Sequence, residues 1–145
     1  MRRGFRQIMD LLEDTGDLVR IKREVDPKFE MSAIMKKLEA ENKAFIFENI
    51  KNADMPAVGG LFTSMSRIGL IFNENNSEEF TLDDAGQKVI AAIENPTPTT
   101  EVDTGPIKDI VLTGDQVDLR KLPVPTFFEL DTGPFITAAV GIFRK

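Results

Sequence analysis

Two prolines two apart, Pro123 and Pro125, constrain this chain more than any other feature. Each fixes its own φ near −65° and drives the residue before it out of the helical region, so residues 122–126 must run extended. A second punctuator follows at Asp131-Thr-Gly-Pro134, and then an unbroken apolar run from Phe135 to Phe143. Such a run has the character of a strand buried on both faces, which needs a neighbour on each side. The last third is therefore expected to be β in character and to open a domain that continues past the final residue.

Upstream of it the periodicity changes. Phe5, Ile8, Met9 and Leu12 recur at helical spacing, and Gly16 is placed to close that helix. Leu18 to Arg23 alternates apolar and charged side chains, as a half-exposed strand does. Asp26-Pro27 predicts a helix start, with Asp26 accepting from the first free amides and Pro27 in the first helical position. Met31, Ile34, Met35 and Leu38 supply its core face. Strands are expected at 44–47 and 57–62, the second loosened by Gly59 and Gly60, with a short helix over 66–72. Thr81 and Asp84 resemble a capping box ahead of a helix whose core face is Leu82, Ala85, Val89, Ala92 and Ile93. The order predicts an α/β layer around a small sheet. Asn95 to Pro106 is rich in Pro, Thr and Gly and marks a connector. The expected division is an α/β domain over 1–96, a connector over 97–106, and the first strands of a β domain over 107–145, including 107–112.

Composition removes several function classes. The chain has 145 residues, no cysteine and no histidine, which excludes disulfides, thiolate metal sites and imidazole-based triads within it. A net charge of −6, with its one basic cluster at Arg2, Arg3 and Arg6, argues against nucleic acid as a partner. No apolar stretch reaches the roughly 18 residues of a membrane helix, and no signal-peptide core is present. A cytoplasmic protein with no membrane partner is the expectation.

Several motifs then fall into a recognisable order. Phe5 to Ile21, Glu24-Val-Asp-Pro27, Glu30-Met-Ser-Ala-Ile34, Ala44-Phe-Ile-Phe-Glu-Asn49, Arg67 within Ser64-Met-Ser-Arg-Ile-Gly69, Val117-Asp-Leu-Arg-Lys-Leu-Pro123 and Asp131-Thr-Gly-Pro-Phe-Ile-Thr137 together resemble the opening of UbiD-type decarboxylases. The resemblance implies a small N-terminal α/β domain followed by the first β-strands of a flavin-binding split β-barrel. It implies reversible, non-oxidative decarboxylation of an aromatic or α,β-unsaturated carboxylic acid by the complete protein. Prenylated FMN, a divalent metal (Mn or Mg) and K are the implied cofactors, and a homo-oligomer is the implied assembly. The family's metal-binding Asn and Glu, its cofactor-contacting Arg and its catalytic Glu–Arg–Glu network correspond to positions beyond Lys145. No catalytic and no metal-binding residue is therefore assigned here, and the chain alone is expected to be inactive and to bind no cofactor. Thr137 is the one transferred residue, as a cofactor-binding position. Phe127-Phe-Glu-Leu130 lacks the Trp or His that some relatives carry before the Asp.

Each candidate has a plainer reading. The Thr137 hydroxyl would bond either the cofactor or a neighbouring backbone carbonyl. Arg67 would bind an anion or form a structural ion pair, the latter favoured. Asp131 is favoured as a turn cap. Glu24 and Asp26 are favoured as surface and capping carboxylates over an acid–base pair. Gly59-Gly60 lacks the spacing of a phosphate-binding loop. For the chain as a whole, the alternatives are a non-catalytic accessory subunit or interaction module completing a split protein, and a degenerate homologue binding plain FMN or an acidic metabolite. Partners would be the rest of the polypeptide or a second subunit.

Overall fold

The computed structural model describes residues 4–72 and 77–136. Helix α1 (Phe5–Asp14) buries Ile8, Met9 and Leu12, while Phe5, at the free end of the same stripe, is exposed. The helix stops where Gly16 adopts φ 71°, a left-handed conformation that costs glycine no steric strain. The Asp17 amide then donates to Leu12 O and the Gly16 amide to Glu13 O, so the last turn's carbonyls are satisfied. Strand β1 (Leu18–Val25) follows at once. Helix α2 (Glu30–Ala40) ends in the same way, with Asn42 at φ 52° in place of glycine and the Lys43 amide donating to Leu38 O.

Strand β2 (Ala44–Ile50) lies parallel to β1, with Leu18 opposite Ala44, which makes β1–α2–β2 a crossover unit. Strand β3 (Ala57–Gly59) pairs antiparallel to β2 on its far side, giving the order β1-β2-β3. The pleat divides the core between two faces. Phe45 and Phe47 pack with Met31 and Leu38 of α2, and Ala44 packs with Ile8, Met9 and Leu12 of α1. Helix α3 (Met65–Ile71) adds Leu70 and Ile71 to the α1 side. The sheet is thus covered on both faces by helix, as a parallel pair requires. Close approach at β3 depends on glycine. A Cβ on Gly59 would stand 2.3 Å from the Phe45 ring, and one on Gly60 would stand 2.7 Å from Lys43 O.

Besides the second expected strand, which stops at Gly59 and not at Phe62, three expectations change. The first concerns the start of α2, which begins at Glu30 and not at Asp26-Pro27. The second concerns α4 (Leu82–Glu94). Its start is the expected capping box, with the Asp84 amide donating to Thr81 Oγ1 at 3.2 Å and the Thr81 amide to Asp84 Oδ2 at 2.8 Å. Its apolar face, however, is not core. Leu82 is 75% and Ile93 73% exposed, because no described residue lies over them. The third concerns residues 107–112, which form no strand. Among the described residues the segment beyond α4 holds short 3-10 turns at Pro106–Lys108, Gly114–Gln116 and Leu119–Lys121, and one isolated bridge between Lys28 and Thr126. With no partner strand beside them, Ile107 and Ile110 stand in solvent.

Candidate functional site

The features that bear on function lie where residues 121–128 run as a strap across the α/β layer. The strap is extended, as its prolines dictate, and is fastened at two places. The Asp54 amide donates to Lys121 O, and Lys121 Nζ pairs with the Asp54 carboxylate at 3.2 Å. Farther on, the Thr126 amide donates to Pro27 O, the Phe29 amide returns to Thr126 O, and Ser32 Oγ donates to Phe127 O at 3.0 Å. Under and beside it lie two apolar hollows. One, about 710 Å³, is bounded by Phe29, Met35, Phe45, Phe127 and Phe128, with Lys36 and Glu39 among its polar residues. The other, about 380 Å³, lies between Met31, Phe47 and Val58 on the sheet side and Pro123, Pro125 and Ile136 on the strap side. Phe127 and Phe135 meet edge to face across 5.9 Å.

Thr137 lies outside the described residues, as does most of the expected strand 135–143; Ile136, next to Thr137, lines the smaller hollow. The other singled-out residues have structural roles. Asp131 Oδ2 accepts from the Phe127 and Phe128 amides at 3.1 and 2.9 Å, which makes it the cap of the 127–131 turn. Asp26 accepts from the Lys28 amide and from Lys51 Nζ at 2.8 Å. Those bonds, Lys51 first, hold its carboxyl below the usual carboxylate range, the opposite of what a proton donor at neutral pH needs. Glu24 is exposed on β1.

Arg67 is the most deeply buried charged residue described, at 1% exposure. Its Nη1 donates to Asp17 Oδ2 and Asn42 O, both at 2.8 Å, and its Nη2 to Asn42 Oδ1 and Thr63 Oγ1 at 3.0 and 2.7 Å. The guanidinium therefore ties together the turn after α1, the turn after α2 and the entry to α3, and it faces no open space for an anion. Sequence reasoning favoured an ion pair here but missed Asn42 and Thr63. The signal for Asn42 was its place just past a helix end, where asparagine tolerates positive φ. Ser32 and Phe29 were also missed, because their partners come from the strap.

Among the described residues the Gly59-Gly60 turn offers no phosphate cradle, and no acidic cluster offers a metal site. Gly59-Gly60 is filled by Phe45 and the Lys43 carbonyl. No group of three His, Cys, Asp or Glu that could hold a metal occurs among the described residues. No helix there is long and apolar enough to cross a membrane.

A β–α–β layer crossed by an extended strap is the class of structure present. Comparison with known proteins makes it specific. Residues 9–85 match the model of the 3-octaprenyl-4-hydroxybenzoate carboxy-lyase N-terminal domain, and residues 99–145 match that family's Rift-related domain. The chain belongs to the UbiD family. It is 32% identical over 142 residues to a Rhodospirillum rubrum protein described as an uncharacterized protein in the cooM 5' region, covering 95% of this chain and 29% of that one. The UbiD-class enzyme HmfF from Pelotomaculum thermopropionicum, solved in complex with FMN, superposes with a TM-score of 0.74 at 32% identity, over 92% of this chain and 29% of that one. Vanillic acid decarboxylase from Sedimentibacter hydroxybenzoicus gives 0.75 at 25% identity, over 90% and 29%. The chain thus spans about 29% of the length of the relatives it matches.

Proposed function

We infer that this chain is the N-terminal portion of a UbiD-like decarboxylase. In this reading residues 1–96 are a scaffold domain, 97–106 a connector, and 107–145 the opening of the flavin-binding split barrel. The observation that carries it is the ordered match of two consecutive family models, with a break between them at residues 86–98 that falls near the expected connector. The complete protein would remove CO₂ reversibly, without net oxidation, from an aromatic or α,β-unsaturated carboxylic acid. It would use prenylated FMN, with Mn or Mg and K, in the cytoplasm and as a homo-oligomer. A relative solved with FMN supports the flavin.

This chain's own contribution is positional. Thr137 would offer its hydroxyl to the cofactor from the strand expected over 135–143. No catalytic or metal-binding residue is assigned to the chain, and alone it would be inactive. The exposed apolar face of α4 supports a covering surface supplied by the rest of the polypeptide or by a second subunit. The test is a longer polypeptide carrying this sequence, co-expressed with a flavin prenyltransferase and offered a panel of aryl and acrylic acids. CO₂ release from at least one acid is expected. A flavin-loaded protein inert toward the whole panel would refute the decarboxylase reading.

A further inference from the structure

Phe29 is the one described residue with a large apolar side chain at positive φ, the other non-glycine cases being Asn42 and Asn52. With φ 69° and ψ −39° it sits at the centre of a γ-turn, closed by the Glu30 amide donating to Lys28 O at 2.9 Å. Turns of this hand are rare and strained, and a bulky residue in one persists only where its surroundings over-determine it. Here the strap does so. Thr126 receives the Phe29 amide and gives its own to Pro27 O, both at 3.1 Å, and Ser32 Oγ bridges Phe29 O and Phe127 O at 2.8 and 3.0 Å.

The same residues encode a competing structure. Asp26-Pro27 is a helix start, and Asp26 Oδ1 already accepts from the Lys28 amide at 2.9 Å as a helix cap would. A helix continued back to Pro27 would give Pro27 O to the Met31 amide and Lys28 O to the Ser32 amide. In the structure Pro27 O is taken by Thr126, Lys28 O by Glu30, and Met31 reaches past both to Asp26 O at 3.1 Å. Phe29 would also need negative φ. The strap and the first turn of the helix therefore compete for one carbonyl and for one torsion angle.

We propose that residues 26–29 are a two-position latch. With the strap seated they form the strained γ-turn. With the strap lifted they join α2 as an added helical turn capped by Asp26, and residues 122–128 leave the two hollows. A bistable element of this kind couples the α2 start to the seating of whatever follows the strap. The proposal stands whether or not the chain serves a decarboxylase.

The test uses isotope-labelled chain, reading backbone shifts at Lys28 and Phe29 together with amide exchange at Thr126. Thr126→Pro removes the donor to Pro27 O, and the shifts of residues 28 and 29 should move to helical values while those of Leu12 and Phe47 stay. Phe29→Gly removes the penalty on positive φ, and Thr126 exchange should slow about fivefold, the low end of the strain held at one such residue. Should Thr126→Pro fail to fold, the glycine variant decides alone. Non-helical shifts at 28 and 29 in a folded Thr126→Pro chain, or faster Thr126 exchange in Phe29→Gly, would overturn the latch.

Discussion

Replacing Arg67 by methionine keeps most of the side-chain volume and removes every hydrogen bond the guanidinium makes. What remains is a cluster of acceptors, Asn42 O and Oδ1 and Thr63 Oγ1, with the Asp17 carboxylate beside them. Asp17 keeps Lys43, at 3.6 Å, and its side chain is 25% exposed, so solvent recovers part of its loss. Asn42 and Thr63 are exposed residues, so water recovers part of their loss as well. With those partners partly rehydrated, the loss is that of the charge-assisted hydrogen bonds, about 2–3 kcal/mol. For a chain of this size each kcal/mol moves the melting temperature by about 3 °C, so a fall of about 6–9 °C is expected. Asp17→Asn is the informative companion, because an amide oxygen still accepts from Nη1. It should still cost about 3 kcal/mol, because the guanidinium, 1% exposed, loses its carboxylate partner. With neither Trp nor Tyr in the chain, far-UV circular dichroism is the suitable probe for thermal and urea unfolding. Arg67→Met within about 1 kcal/mol of the parent would refute the view that this side chain ties the turns together.

Three smaller tests bear on other parts of the fold. Gly60→Ala forces φ 73° on a residue whose Cβ would meet Lys43 O at 2.7 Å, and should destabilise by about 1–3 kcal/mol in urea unfolding. Asp131→Ala leaves the Phe127 and Phe128 amides without their cap, and their hydrogen exchange should quicken about tenfold. The Asp26 carboxyl, held below its ordinary 3.8 first by Lys51 and then by the Lys28 amide, supports the fold above that value and loses its contribution as pH falls through the depressed one. A carboxyl NMR titration should show the Asp26 midpoint climbing back toward 3.8 in Lys51→Met.

The α/β half was legible because its signals are local. The spacing of Ile8, Met9 and Leu12, the glycine at 16 and the Thr81–Asp84 box each lie within one or two helical turns, and each is realised. Arg67 was legible as a structural charge, since it sits among small and apolar neighbours, but Asp17 is 50 residues away and only the fold joins them. The start of α2 went astray for the opposite reason. Its local signal at Asp26-Pro27 is sound, and a backbone pairing from Thr126 overrides it. For α4 the period was right and the burial was not, because periodicity says which face is apolar but not what covers it. Residues 107–112 have strand-like composition, yet a strand exists only beside a partner. Thr137 rests on family resemblance alone.

In the proposed function this chain is scaffold and strap for a flavin site completed only by the rest of the polypeptide. Flavin stoichiometry separates the possibilities: purify the 145-residue chain and the longer polypeptide side by side after co-expression with a flavin prenyltransferase, and measure bound flavin by absorbance and mass. A colourless short chain and a longer protein holding modified flavin near one per subunit are expected. Flavin retained by the short chain, or none by the longer protein, would contradict that reading.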